Sequence, residues 1–282
     1  TYNLTDTNWV GKIGTDQLAA INLVTPMQNI ITNFGSGITV AGAVLIAQYI
    51  GAGEKEDARS MANQIFACAM GFAVVCATLC FLGTPAIVNW LGADGGTAYY
   101  ARVYLRVVIW DMPFLYMVNI FSAVHQAQGD TVRPMFLNLG GITLNLFLDP
   151  FFMIALDLGT AGAALATLLA KAIPAIVAFG LLCRQENDIC LNRKYMRLQK
   201  EKLGMILKIG LPTAIGGSTM QLGFLLMSKN VFVYGTEAMA AYGIGNKVNG
   251  LITLPSNAIG SATATIVGQN MGAKQPDRAE KG

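Results

Sequence analysis

The sequence predicts an all-α, polytopic membrane protein, and three observations predict it. Apolar residues make up 54% of the chain and charged ones 12%, with a mean hydropathy of +0.49, whereas soluble domains carry about 25% charged residues. Uncharged runs at 17–53, 60–93 and 248–273 each exceed the roughly 20 residues a helix needs to cross a bilayer. Positive charge gathers in alternate loops, and the net charge of +3 matters less than that placement.

Residues 1–11 read as the end of a first span carrying Asp6, and 12–17 as a turn. The second span covers 18–50, with Pro26 and the small cluster Gly35-Ser36-Gly37. Loop 51–59 leads to a third span, 60–82, and 83–96 is read as a longer, partly helical connection. The fourth span, 100–123, holds Asp111 and Pro113 and ends in the turn 128–133. The fifth and sixth spans are 134–156 and 160–182. A charged linker, 183–202, precedes the seventh and eighth, 203–234 and 238–270, and a polar tail follows.

One set of connections holds Lys55, Arg59, Arg133, all of the linker's Arg and Lys, Lys274, Arg278 and Lys281, while the other holds little beyond Lys12, with Arg102 at the edge of the fourth span. The positive-inside rule places the first set in the cytoplasm, so odd-numbered spans run outward.

An internal repeat lays 236–279 over 15–58 without a gap, at an offset of 221 residues. Ala19/Ala240, Ile31/Ile252, Ile38/Ile259, Gln48/Gln269, Gly51/Gly272 and Ala58/Ala279 match, and both copies end in Gln-x-x-Gly-Ala, which fixes the register at a helix end. Six spans separate the copies, so the second returns in the same orientation: a parallel repeat about an axis along the membrane normal. The expected division is a six-helix lobe (1–182), an interlobe linker (183–202) and the first two helices of a second lobe (203–282). Spans seven and eight then imply residues before Thr1 and about four further spans after Gly282, twelve helices in all. A chain lacking them is not expected to work alone.

The candidate site is Asn145-Leu146-Phe147-Leu148-Asp149-Pro150. Between Pro134 and Leu156, Asp149 is the sole charged residue. Asn145 lies one turn before it on the same face. Pro150 has no N–H, so the Leu146 carbonyl loses its helical partner and the helix is loosened beside the carboxyl group. An ionisable residue inside a span costs at least about 2.5–3.5 kcal/mol at the centre and marks an ion or proton path more often than a structural bond.

Tyr2-Asn3-Leu4-Thr5-Asp6, Gly11, Gly14 and Leu18-Ala19-Ala20 resemble the first two helices of the MATE (multidrug and toxic compound extrusion) family. Gly51-Ala52-Gly53 with Ala58, Gln128-Gly129-Asp130 before Pro134, and Asn145 to Pro150 are similar to further motifs of its DinF-like prokaryotic branch. The resemblance implies two six-helix lobes around a V-shaped cavity. It implies export of amphipathic, often cationic small molecules from a prokaryotic cytoplasm across the inner membrane, in exchange for protons or, alternatively, sodium. It also implies a coupling network at Tyr2, Asp6, Asn145, Asp149 and Thr167. The carboxylate that some sodium-coupled members carry on the seventh helix has no match in Thr219-Met220-Gln221-Leu222. Asp6, Asp149 and Thr167 lie at depths that agree within about one turn at 1.5 Å per residue.

Lys171 follows Thr167 by one turn and could reach Asp149 or Asp111, as a charge partner or a cavity-lining cation; Lys229 and Lys247 are further intramembrane cations. Phe147, Phe151 and Met153 suit an adaptable drug cavity but equally core or lipid-facing positions. His125, the only histidine, has no neighbouring ligands, and Cys68, Cys76, Cys80, Cys183 and Cys190 have no metal-ligand spacing, so free thiols and no cofactor are expected. The expected partners are small molecules and the lipid bilayer, with no nucleic acid, for a monomer. The alternatives are a flippase for lipid-linked sugars, which would need cationic side chains in its cavity, and an intramembrane enzyme, for which no His–carboxylate or Gly-x-Ser-x-Gly arrangement is seen.

Overall fold

The computed structural model describes residues 15–91, 95–156, 158–184, 189–192, 195–232 and 236–281. All of their regular structure is helical. Helix α1 (Thr15–Gly51) is the second span and α2 (Lys55–Trp90) the third. The fourth is α3 (Gly95–Val108), a 3-10 turn (Ile109–Asp111) and α4 (Met112–Ala127). The fifth is α5 (Val132–Pro150) with a π-turn (Phe151–Ala155), and the sixth is α6 (Gly159–Cys183). Helices α7 (Lys200–Phe232) and α8 (Thr236–Gly272) occupy the stretches read as the seventh and eighth spans, and α9 (Pro276–Lys281) follows. Among the described residues, five stretches, from Leu23–Gly51 to Ala161–Cys183, are long and apolar enough to cross a membrane.

The third span corrects the sequence reading. It runs unbroken through Pro85 to Trp90 instead of ending at Leu82. Ala73, Ala77, Cys80, Thr84 and Val88 are all buried, one continuous stripe at helical spacing that packing holds together across the proline. Thr84 Oγ1 donates to the Cys80 carbonyl at 2.8 Å, and single prolines are tolerated inside membrane helices.

Two apolar clusters hold the first copy's helices. One joins Ile46, Met61, Ile65, Phe121 and Leu182. The other joins Ile21, Val24, Leu105, Ile109, Met112, Met153, Ala163 and Ala164. Helix α5 buries only the stripe Pro134, Gly141, Asn145 and Asp149. The start of α6 presses on the π-turn, where a Cβ on Gly162 would lie 2.6 Å from the Phe152 carbonyl oxygen.

The linker docks on α2 through two buried amides. Gln64 Nε2 donates to the carbonyls of Tyr195 (2.8 Å) and Arg197 (2.7 Å), and its Oε1 accepts from the Gln199 N–H at 2.9 Å. Asn63 donates to the Cys190 carbonyl at 3.2 Å and accepts from the Asn192 N–H at 2.8 Å. The Tyr195 hydroxyl donates to Glu56 at 2.5 Å, and that hydrogen bond to the carboxylate pushes the phenol above its ordinary value.

The repeat persists to individual hydrogen bonds. After α1, Ala52, Gly53 and Glu54 donate to the carbonyls of Gln48, Ile50 and Tyr49; after α8, Ala273, Lys274 and Gln275 donate to Gln269, Met271 and Asn270. Each donor and acceptor is displaced by the same 221 residues. The left-handed residue is Gly53 in one copy (φ 77°) and Lys274 in the other (φ 57°).

Candidate functional site

Asp149 is fully buried on α5, and Asn145 Nδ2 donates to its Oδ1 at 2.9 Å. A hydrogen bond to a charged group contributes about 1.5–3 kcal/mol, which offsets much of what a carboxylate costs in a lipid-embedded core. Pro150 ends the α-helical ladder one residue on. The chain then widens into the π-turn, with Leu156 N–H bonded to the Phe151 carbonyl at 3.1 Å, an i to i+5 step. Thr167, buried on α6, belongs to the helix packed most closely on α5. Tyr2 and Asp6 lie outside the described residues, as do the side chains of Lys229 and Lys247.

Lys171 reaches Asp111, with Nζ 2.5 Å from Oδ2. Asp111 sits in the 3-10 turn, where the fourth span changes winding, and the pair bridges the fourth and sixth spans. Met153 is core, packed with Ile109, Met112, Ala163 and Ala164. Phe147 is 69% exposed on the face of α5 opposite Asn145 and Asp149, so it points away from the buried site. His125 is buried, with Nδ1 2.9 Å from the Phe121 carbonyl, a satisfied core histidine. All five cysteines are free thiols. Among the described residues no His, Cys, Asp or Glu cluster could hold a metal ion.

The resemblance implied a cavity between the lobes, but sequence reasoning named none of the residues that line the cleft. About 530 Å³ lies between α1, α4 and α8, lined by Ser36, Thr39, Val40, Ala43, Val44, Asn119, Ser122, Ala123, Gln126, Ser256, Asn257, Gly260, Ser261, Ala264 and Thr265. None of these is ionisable. Apart from Ser256, the lining contributed by α1 and α8 is the repeat seen twice: Ser36 with Asn257, Thr39 with Gly260, Val40 with Ser261, Ala43 with Ala264 and Val44 with Thr265, each pair one repeat apart. The cleft therefore straddles the axis relating the copies. The repeat carried the signal, since equivalent positions facing a two-fold axis must face each other.

A polytopic helical bundle with a parallel repeat, an uncharged cleft of mixed polar and apolar lining on the repeat axis and a buried carboxylate at a proline-broken span has the build of a secondary transporter. The MatE family model matches residues 1–151 and 212–281, and the chain belongs to that family. It is 25% identical to the probable multidrug resistance protein YoeA of Bacillus subtilis, over 96% of this chain and 60% of that protein. It is 28% identical to the probable multidrug resistance protein NorM of Thermotoga maritima, over 96% of this chain and 59% of that one. A crystal structure of a MATE protein in complex with MaL6 superimposes with a TM-score of 0.95 at 25% identity, over 99% of this chain and 63% of that one. An outward-facing multidrug resistance MATE transporter gives 0.93 at 26% identity, over 99% and 62%. The chain thus spans about three fifths of the length of these relatives.

Proposed function

We propose that this chain is the larger part of a cation-coupled antiporter that exports amphipathic, often cationic small molecules across a prokaryotic inner membrane by alternating access. One observation carries the reading. A fully buried Asp149 is bonded to Asn145 where Pro150 and the π-turn leave the fifth span compliant. The coupling ion is a proton, with sodium the alternative, and Tyr2, Asp6 and Thr167 complete the network. Ionised, Asp149 accepts hydrogen bonds only and offers negative charge to a cationic substrate. Protonated, Asp149 becomes a donor as well, its bonds rearrange, and the loosened span bends to expel the substrate outward.

The names of the curated relatives support the substrate class. The uncharged cleft, where Ser, Thr, Asn and Gln side chains stand among Val and Ala, supports a route for an amphipathic molecule between the two copies. Lys171, neutralised by Asp111, supplies no free cation for a pyrophosphate group, which weighs against the sugar-lipid flippase.

The test is efflux of a fluorescent organic cation from proteoliposomes holding the full-length transporter, under separate proton and sodium gradients. Asp149→Asn is expected to abolish proton-driven efflux while the protein still inserts. Efflux equal to wild type overturns the site.

A further inference from the structure

A second hollow lies on the side of the fourth span away from the cleft. About 230 Å³ opens between the third, fourth and sixth spans, and every residue lining it is apolar. Phe66 and Met70 of α2, Phe114 and Met117 of α4, and Ile176 and Phe179 of α6 form most of its wall. Along α4, Phe114 and Met117 face this groove whereas Asn119 and Ser122 face the cleft, so the groove opens to lipid. Its rim is bare, with Ile176 66% exposed and Phe179 44%.

Depth and charge together define an occupant. At 1.5 Å per residue, Phe179 stands about 6 Å from the end of α6 at Cys183, and Pro113, the deepest lining residue on α4, about 21 Å from the end of that helix at Ala127. The loop charges assign both ends to the cytoplasm. The groove therefore runs for about 15 Å, half of a hydrocarbon core about 30 Å thick, which is the reach of one acyl chain of the inner leaflet. At its shallow end the rings of Phe66 and Phe179 meet, 6.1 Å between centroids, and Asn63, one turn before Phe66, holds the linker. Arg184 follows α6 there and is exposed, and the linker, 183–202, carries six basic residues against three acidic ones. That surplus draws anionic head groups to the mouth of the groove. A cationic drug fits neither feature, since the lining offers it no carboxylate and the mouth repels it.

We propose that this groove is a binding site for one anionic phospholipid of the cytoplasmic leaflet, with an acyl chain seated between the third, fourth and sixth spans and the phosphate at Arg184. Pro113 and Phe114 stand in the first turn of α4, directly after the 3-10 turn, so the seated chain props the fourth span where its winding changes. The site is separate from the cleft and from Asp149, and its occupancy does not depend on what is transported.

The experiment uses the full-length transporter in phosphatidylcholine bilayers, with its native tryptophans replaced by phenylalanine and Ile176→Trp as the reporter. Phospholipids with brominated acyl chains quench a tryptophan they touch. Leu139→Trp, on the lipid face of α5 (53% exposed), is the control. Both positions lie seven residues, about 10 Å, from the cytoplasmic ends of their helices. Brominated phosphatidylglycerol is expected to quench the groove reporter at about one fifth, or less, of the mole fraction that the control needs. Brominated phosphatidylcholine should quench the two alike. Arg184→Gln should weaken the preference about fivefold, the worth of one cation beside an anionic surface. Equal quenching of the two reporters by phosphatidylglycerol overturns the site. Quenching relieved by the transported cation would seat the substrate there and overturns it too, as does a groove reporter that neither lipid quenches, which would mean that protein covers the groove.

A second measurement leaves the tryptophans in place. Ala175, buried in the floor of the groove, is replaced in Ala175→Phe, which fills it. In native mass spectrometry this variant is expected to retain one phosphatidylglycerol fewer than wild type, and Leu139→Phe to retain the same number. An inserted Ala175→Phe protein that keeps its full complement overturns the site. The reporter measurement, made with Ala175 intact, decides the matter if that variant fails to insert.

Discussion

Removing Lys171 should damage the fold far more than removing Asp111, its ion-pair partner. The Asp111 side chain is 2% exposed and that of Lys171 17%, so the two charges are not equally trapped. Lys171→Met leaves a carboxylate in the packed interior of the fourth span. Breaking a buried pair from one side costs about 3–5 kcal/mol. Asp111→Asn instead leaves an ammonium on a long stem beside a 40 Å³ cavity that Asn138 also lines. That is room for about one water, and the stem lets the charge move toward it, so the cost should stay below about 3 kcal/mol. Lys171→Met with Asp111→Leu removes both charges and should return stability to within about 1 kcal/mol of wild type, or above it. Unfolding in mixed micelles, followed by circular dichroism against the mole fraction of denaturing detergent, measures all four proteins. A Lys171→Met loss below about 1 kcal/mol, or a double variant as unstable as the worse single, would refute the reasoning.

Two further predictions rest on the repeat and on the linker. Lys274 occupies the left-handed position that Gly53 holds in the first copy, and a non-glycine residue there costs about 1–2 kcal/mol. Lys274→Gly should therefore stabilise by up to about 1 kcal/mol, and Gly53→Lys should destabilise by a similar amount, in the same unfolding assay. Asn63→Leu strips the partners from the Cys190 carbonyl and the Asn192 N–H, and should cost about 2–3 kcal/mol. It should also speed protease cleavage within the linker, measured as the rate of appearance of the two halves; an unchanged rate would mean the amide is not the clamp.

Much of the architecture was legible because membrane helices announce themselves by length and the absence of charge. The repeat was legible at Gln48, Gly51, Gln269 and Gly272, and it proved true down to the turn that follows each helix. Asp149 and Asn145 were legible as a pair because a four-residue spacing on a helix is a spatial statement. The continuation through Pro85 was not, since a local rule for proline was outweighed by the buried stripe from Ala73 to Val88. Whether Lys171 would choose Asp111 or Asp149 depends on the rotation of three helices, which no one helix's sequence encodes. Asn63 and Gln64 read as unremarkable polar residues at a helix start; their partners are backbone groups some 130 positions away, invisible to residue type. The cavity was expected from the resemblance, but its lining was not legible for a different reason: it carries no charge, and only the pairing of repeat positions gives it away.

The most direct test of proton coupling at Asp149 is proton release on substrate binding. The full-length transporter, in weakly buffered detergent solution with a pH indicator, is titrated with an organic cation, and wild type is compared with Asp149→Asn. Wild type should release protons as the cation binds, and the variant should release markedly fewer while still binding it. Equal release from both proteins would contradict the account.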